Sequence, residues 1–179
     1  YEIPLRLVGS EMCIRDRFVM FAAPAEQSLE WSDTGIEGSH RFLKKLWRAV
    51  YEFKNSKHIS KKNIYEDDLR FKLNTTIEKV TDDLERRTSF NTAISSVMEL
   101  INTLNKSDIE GSISIQLKKE VLEKTLLLLN PFVPHITKYL WEELNPKMIF
   151  EEQNWPKVDA TALIKKEVNL VIQVNGKLR

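Results

Sequence analysis

The stretch LLLLNPFVPHITKYLWEEL, residues 126–144, decides the fold class. A run of leucines stops at two closely spaced prolines, and a second apolar pattern begins directly after them. In that pattern Ile136, Leu140 and Leu144 recur every four residues, which is the spacing of one helix face. Because proline interrupts a helix interior but is tolerated at a helix start, the stretch predicts two helices joined by a tight turn.

Three segments upstream of this turn carry apolar residues at the same helical spacing. The stripes are Phe42, Leu46, Val50 and Phe53; Leu69, Leu73, Ile77, Val80 and Leu84; and Phe90, Ile94, Val97, Ile101 and Leu104. Polar loops such as residues 54–63 separate them, and Thr88 or Ser89 is a candidate cap for the third. Several amphipathic helices with short connections predict a mainly α protein built as an antiparallel helical bundle.

The pattern changes after Leu144. Residues 147–166 are irregular and read as a linker, while residues 167–174 alternate and are rich in β-branched side chains. Asn175 and Gly176 form a strong hairpin-turn signal, yet only three residues follow them. We therefore expect residues 167–179 to be the truncated β-strand and hairpin that begin another domain, without its native sheet.

Composition excludes several classes of function. The chain has 179 residues, 42% hydrophobic and 30% charged, with a net charge of +1, so a nucleic-acid contact requires a local basic face. Cys13 is the single cysteine, which excludes an internal disulfide and a multi-thiolate metal site. There is no glycine-rich phosphate loop and no candidate catalytic or metal-binding group. The apolar stretches are too short to cross a bilayer, so we expect no membrane association and a cytoplasmic protein.

Four segments together resemble bacterial leucyl-tRNA synthetases. They are MFAAPAEQSLEWSDTGIEGSHRFLKKLW (20–47), KVTDDLERRTSFNTAISSVMELIN (79–102), LLLLNPFVPHITKYLWEEL (126–144), and WPKVD (155–159) followed by VIQVNGKLR (171–179). They occur in the order that the family shows and extend over residues 18–179. The first is similar to the segment after the family's KMSKS loop, and the last is similar to the entry into its small C-terminal domain.

The resemblance implies a part of a class I aminoacyl-tRNA synthetase that ligates leucine to tRNA(Leu) with ATP and Mg²⁺. The HIGH and KMSKS motifs of that family are absent from these 179 residues. We therefore expect this chain to hold no cofactor and to be inactive alone, within a parent enzyme that is monomeric. The bundle corresponds to the so-called anticodon-binding domain, which in this family is expected to hold the inner corner of the tRNA.

The resemblance also implies a division of the chain. The predicted segments are a non-native segment at 1–17, a connector from the catalytic domain at 18–31, the tRNA-binding bundle at 32–146, the linker at 147–166 and the start of the C-terminal domain at 167–179. LRLVGSEMCIRDR (5–17) matches nothing in the family and looks like translated vector or linker sequence. Within the connector, Met20, Phe21, Pro24 and Trp31 are expected to pack against the catalytic domain.

Six basic residues and one asparagine are the candidate tRNA contacts. They are Arg41, Lys45 and Arg48 on the first stripe's helix, Lys79, Arg86 and Arg87 on the next, and Asn91 just beyond. The alternative for the lysines and arginines is an ordinary solvated helix face. For Arg86 and Arg87 it is compensation of the helix dipole, and for Asn91 it is a local helix cap. Trp31, Trp47 and Trp141 are more naturally packing residues than base-stacking ones.

Two other functions remain open at this point. The same domain occurs in looser form in valyl- and isoleucyl-tRNA synthetases, although the VNGKLR ending (174–179) favours the leucyl family. A stand-alone helical module that binds another protein has the same helix pattern, because bundles serve many functions.

Overall fold

The computed structural model describes residues 10–22, 32–55, 66–109, 113–164, 173–174 and 177–178. These ranges contain the helices α1 (Ser10–Ala22), α2 (Asp33–Asn55), α3 (Glu66–Asp82), α4 (Phe90–Ile109), α5 (Ile115–Leu129) and α6 (Pro134–Leu144). A π-helical turn, Asp83–Arg87, follows α3, and 3-10 turns lie at Phe150–Glu152 and Ala160–Leu163. The prediction of a mainly α protein is confirmed.

The helices alternate in direction. Glu66 accepts the backbone N–H of Ser114, and Arg70 pairs with Glu120 at 3.1 Å, so α3 and α5 run the same way. Thr92 at the start of α4 contacts Asp83 just after α3, and Glu99 farther along α4 contacts Lys72 earlier on α3, so α4 runs in the opposite direction. Short connections between neighbouring helices give this up-and-down arrangement, as expected for an antiparallel bundle.

The predicted apolar stripes form the core. Their fully buried members include Leu46, Val50, Leu73, Ile77, Val80, Ile94, Val97, Ile101, Leu104 and Leu140. Leu84, Phe90 and Leu144, each at the end of its stripe, pack against the core and are only partly buried. Burial of each large aliphatic side chain contributes about 1.5–3 kcal/mol, so these periodic positions account for much of the bundle's cohesion.

Two of the tryptophans pack as predicted. Trp47 and Trp141 are each only 2% exposed. The Trp47 ring stacks with those of Tyr51 and Tyr139, with ring centroids 5.0 Å and 5.1 Å away, which joins α2 to α6. Trp141 donates its indole N–H to the carbonyl of Met148, so its one polar group is satisfied. Trp31 lies outside the described residues.

Helix α1 runs through the predicted boundary between residues 17 and 18. It packs on α2, α4 and α6, and it buries both Arg17 and Phe18. The Phe18 ring lies so close to Gly35 that a Cβ there would approach Phe18 Cε2 to 2.5 Å. The assignment of 1–17 as a non-native segment stays a prediction, and residues 1–9 lie outside the described part of the chain.

The predicted linker is packed rather than extended away from the bundle. Phe150 and Pro156 are buried, and the 3-10 turn Ala160–Leu163 packs on α3. Trp155 donates its indole N–H to Thr81 Oγ1 at 2.9 Å. Residues as far as 164 are therefore fastened to the bundle.

At the carboxyl end, β1 (Gln173–Val174) pairs antiparallel with β2 (Lys177–Leu178), with Gln173 opposite Leu178 and Val174 opposite Lys177. The strand predicted within residues 167–174 is described only at its last two residues. A truncated hairpin that opens a separate C-terminal domain therefore stays a prediction.

Candidate nucleic-acid interface

The outer face of α2 carries three of the predicted tRNA contacts. Arg41, Lys45 and Arg48 are all exposed, while Phe42 and Leu46 between them are buried. The helical repeat places the basic residues on one side of α2 and the apolar residues on the other. Three cations therefore line about two turns of exposed helix.

The basic face of α2 adjoins the outer face of α4. Lys45 Nζ donates to Asn102 Oδ1 on α4. Glu99, one turn earlier on α4, accepts a hydrogen bond from Lys72 of α3 at 2.6 Å. That bond and the charge of Lys72, with a smaller contribution from Lys79, hold the pKa of Glu99 below its usual value. Cations from α2 and α3 thus flank α4 on one surface.

The connection between α3 and α4 presents two more of the predicted arginines. The side chains of Arg86 and Arg87 are 79% and 65% exposed in the π-helical turn. Both pair with Asp82, at 3.2 Å and 2.7 Å. The structure therefore brings these two guanidinium groups together around one carboxylate, at an outer corner of the bundle that we call the Arg86–Arg87 corner.

The remaining predicted contacts lie nearby. Lys79 is exposed on the last turn of α3, and Asn91 is partly buried in the first turn of α4, beside the Arg86–Arg87 corner. Exposed groups this close to a basic corner are well placed to meet phosphate oxygens, although each is equally compatible with a solvated surface.

Sequence reasoning missed the groups that hold this surface in place. Asp83 is 1% exposed, and its Oδ2 lies 2.5 Å from Thr92 Oγ1 on α4. Lys72 and Asn102 were missed as partners of Glu99 and Lys45. No periodicity relates these partners, because each pair joins two different helices.

The connector residues contact this bundle itself. Met20 and Phe21 are partly buried and pack against the bundle core, while Val19 is 42% exposed. Pro24 and Trp31 lie outside the described residues. Packing of Met20, Phe21, Pro24 and Trp31 against a catalytic domain stays a prediction.

The described residues also bear on two other kinds of site. They contain no group of three or more His, Cys, Asp and Glu side chains arranged to hold a metal ion. Within the same residues, no helix combines the length and the apolar character needed to cross a membrane.

Comparison with known proteins identifies the class. Residues 66–179 match the family described as the anticodon-binding domain of tRNA ligase. This match extends over more than half of the chain, so the chain belongs to that family.

Two curated relatives of the chain are leucine–tRNA ligases. The chain is 50% identical over 167 residues to the leucine–tRNA ligase of Chromobacterium violaceum, which covers 90% of this chain and 19% of that protein. It is 49% identical over 174 residues to the leucine–tRNA ligase of Nitrosomonas europaea, covering 90% and 20%. The resemblance to bacterial leucyl-tRNA synthetases is therefore confirmed, and the chain spans about a fifth of the length of these relatives.

A solved structure shares the fold. The leucyl-tRNA synthetase in a ternary complex with tRNA and LeuAMS from Agrobacterium radiobacter K84 superposes with a TM-score of 0.76 at 24% identity. The match covers 99% of this chain and 24% of the other. At this identity the likeness establishes the fold.

Proposed function

We propose that the chain is the tRNA-binding helical part of a leucine–tRNA ligase, which positions tRNA(Leu) for ATP-dependent aminoacylation with leucine. The observation that carries this proposal is the 50% identity to a leucine–tRNA ligase over 90% of the chain. Relatives of this specificity favour the leucyl assignment over a valyl or isoleucyl one. The tRNA in the ternary complex of the structural relative supports the partner.

The mechanism is electrostatic and depends on shape. Arg41, Lys45 and Arg48 on α2, with Lys79 on α3, present cations beside α4 on a rigid, well-packed bundle. Contacts to phosphates fix the register and orientation of a nucleic acid without reading its sequence. The bundle therefore holds the tRNA backbone, at the inner corner of the molecule, while the acceptor end reaches a distant active site.

The chemistry belongs to the rest of the proposed ligase. Leucine, ATP and Mg²⁺ would be bound by a catalytic domain with the HIGH and KMSKS motifs, and no residue of this chain takes part in bond making. We propose a cytoplasmic enzyme that acts as a monomer.

Binding of a tRNA(Leu) transcript to the full 179-residue chain, measured over a range of KCl concentrations, tests the proposal. The affinity should fall steeply with salt. The double variant Arg41→Ala, Lys45→Ala should bind more weakly and flatten the log–log slope by about two units, about one for each lost phosphate contact. The control Lys147→Ala, Lys157→Ala removes the same charge from the exposed linker and should leave the slope close to wild type. Binding that ignores salt, or equal effects of the two double variants, would contradict the proposal.

The same substitutions made in a complete leucine–tRNA ligase test the role in positioning. Arg41→Ala with Lys45→Ala should raise KM for tRNA(Leu) and leave leucine activation by ATP unchanged, because activation does not need the tRNA backbone contacts. A loss of leucine activation would assign these residues to the support of the catalytic domain instead.

A further inference from the structure

We propose that Asp83 and Thr92 are positioning residues that hold the Arg86–Arg87 corner in the conformation that meets RNA phosphates. The proposal rests on the tRNA-binding function proposed above. It assigns a role to two residues that contact no RNA themselves.

Asp83 links three parts of the corner. Its carbonyl oxygen accepts the backbone N–H groups of Thr88 and of Ser89, the latter at 3.0 Å, which closes the π-helical turn. Its carboxylate Oδ2 lies 2.5 Å from the Thr92 hydroxyl, in the first turn of α4. The Thr92 hydroxyl is also 2.9 Å from the carbonyl oxygen of Ser89. Its bond to Asp83 Oδ2 is the stronger of the two, because it is shorter and its acceptor is a carboxylate. The buried Asp83 thus joins the π-helical turn to residues 88–89 and to the first turn of α4.

The backbone of this corner has an unusual conformation that needs such support. Thr88 has φ 53° and ψ 31°, in the left-handed region. This region is unfavourable for a β-branched residue, and such conformations persist when the surrounding structure fixes them. The π-helical turn before it is also rare and is often found at functional sites. The hydrogen bond that the Thr92 hydroxyl donates to the buried Asp83 carboxylate holds this backbone in place.

The consequence for binding follows from the exposure of the arginines. Arg86 and Arg87 are long, exposed side chains, and ordering such groups on binding has an entropic cost. A backbone already fixed by Asp83 and Thr92 lowers that cost, because only the side chains remain to be ordered. Without the bond between Asp83 and Thr92, the same two charges are present but are no longer held toward one RNA strand.

The test is a double-mutant cycle on the full chain with the tRNA(Leu) transcript. Thr92→Val removes the hydroxyl at nearly constant shape, and Thr92→Ser keeps it. Both are measured in the wild-type background and in Arg86→Ala, Arg87→Ala. Thr103→Val is the matched control, since it removes a hydroxyl that donates to the Glu99 carbonyl on the same helix, away from the corner.

Thr92→Val should weaken tRNA binding about fivefold to tenfold in the wild-type background, which corresponds to the net contribution of one typical hydrogen bond. It should have no effect once Arg86 and Arg87 are replaced. Thr92→Ser and Thr103→Val should bind like wild type. Of these three single variants, only Thr92→Val should show faster amide exchange at Thr88 and Ser89 than the wild-type chain.

Equal losses of affinity in the two backgrounds, or no loss in either, overturn the positioning role while leaving the proposed function intact. A wild-type chain that shows no salt-dependent tRNA binding overturns the proposed function itself. If Thr92→Val does not fold, Asp83→Asn replaces it in the cycle, because it keeps an acceptor of the same shape. It should weaken binding about threefold, and only when Arg86 and Arg87 are present.

Discussion

The side-chain oxygen of Asn74 on α3 accepts the backbone N–H of Asp159, 85 residues later, at 2.8 Å. The same amide donates through Nδ2 to the carbonyl of Arg70 at 2.9 Å, so its orientation is fixed by its own helix. Asn74 is buried, 3% exposed. The segment after the bundle is thereby attached to α3.

Replacing Asn74 with Ala should release this segment. The N–H of Asp159 loses its acceptor, and unpairing a partly buried backbone group costs about 1–3 kcal/mol. We expect faster amide exchange at Asp159 and a changed fluorescence of Trp155, which lies in the same segment. Asn102→Ala, at an exposed position on α4, is the control and should leave both signals unaltered. Unchanged exchange at Asp159 in Asn74→Ala would show that the segment is held by other contacts.

Arg17 is expected to destabilise the bundle at neutral pH. Its side chain is 1% exposed, and its guanidinium lies over the rings of Phe21 and Phe42, 5.3 Å and 4.5 Å from their centroids. Its Nη2 is 2.7 Å from the sulfur of Met98, while its Nε has no hydrogen-bond partner among the described residues. Desolvation by burial lowers the pKa of Arg17 from its ordinary value to about 10. A buried charge without a carboxylate is costly.

Arg17→Met should therefore raise the free energy of unfolding by about 1–3 kcal/mol at pH 7, as measured by urea denaturation. The folded pKa of Arg17 lies below its unfolded value, so above about pH 10 the folded chain binds fewer protons than the unfolded chain. The penalty is complete below about pH 10 and shrinks as pH rises above it. The control Lys44→Met, on the exposed face of α2, should change the free energy of unfolding by less than about 0.5 kcal/mol. A destabilised Arg17→Met would mean that the ring contacts outweigh desolvation.

Two glycines of α2 should respond in opposite directions to alanine. A Cβ at Gly35 would meet Phe18 Cε2 at 2.5 Å and Cδ2 at 3.1 Å, whereas a Cβ at Gly38 would meet nothing within 4 Å. Gly35→Ala should cost about 1–3 kcal/mol, because the buried Phe18 ring must move. Gly38→Ala should stabilise by about 0.5–1 kcal/mol through helix propensity. Thermal unfolding of both variants measures the difference, and equal shifts would refute the packing of Phe18 on α2.

Asp82 should weaken RNA binding by competing for the arginines. It pairs with both Arg86 and Arg87 in the free chain, and phosphates must displace it or tolerate its charge. Asp82→Asn should therefore raise tRNA affinity about twofold to fivefold, the range of an exposed ion pair, with little effect on stability. Glu78→Gln makes the same charge change on an exposed turn of α3. If both variants gained affinity equally, the effect would come from net charge and not from competition at the corner.

Local patterns predicted the bundle well because each helix repeats its signal several times. Leu73, Ile77 and Val80 stand on one face of α3 and are all buried. The helix ends were less predictable. The second stripe runs to Leu84, but α3 ends at Asp82 and continues as a π-helical turn as far as Arg87. No residue pattern signals that change of hydrogen bonding, which depends on the carbonyl of Asp83.

The sequence predicted the basic residues of the candidate interface, but it did not predict the residues of other helices that contact them. Arg41 and Lys45 could be read from spacing, since an exposed basic face at helical intervals is visible in the sequence. Their neighbour Asn102 could not, because it belongs to another helix. The linker was expected to be irregular, and it is, but its attachment through Asn74 was missed since a single pair of residues leaves no repeating pattern.

The helical class, the faces of the helices that pack in the core and the family can all be read from the amino-acid sequence. Apolar residues at helical spacing recur along the chain, and the family's motifs occur in order. The tertiary structure alone decided that Arg86 and Arg87 share Asp82, that Asp83 reaches Thr92 and that Phe18 fills the space above Gly35. The physical reason is that these contacts depend on how helices are placed against one another. That placement comes from packing the whole core, to which residues far apart in the chain contribute together.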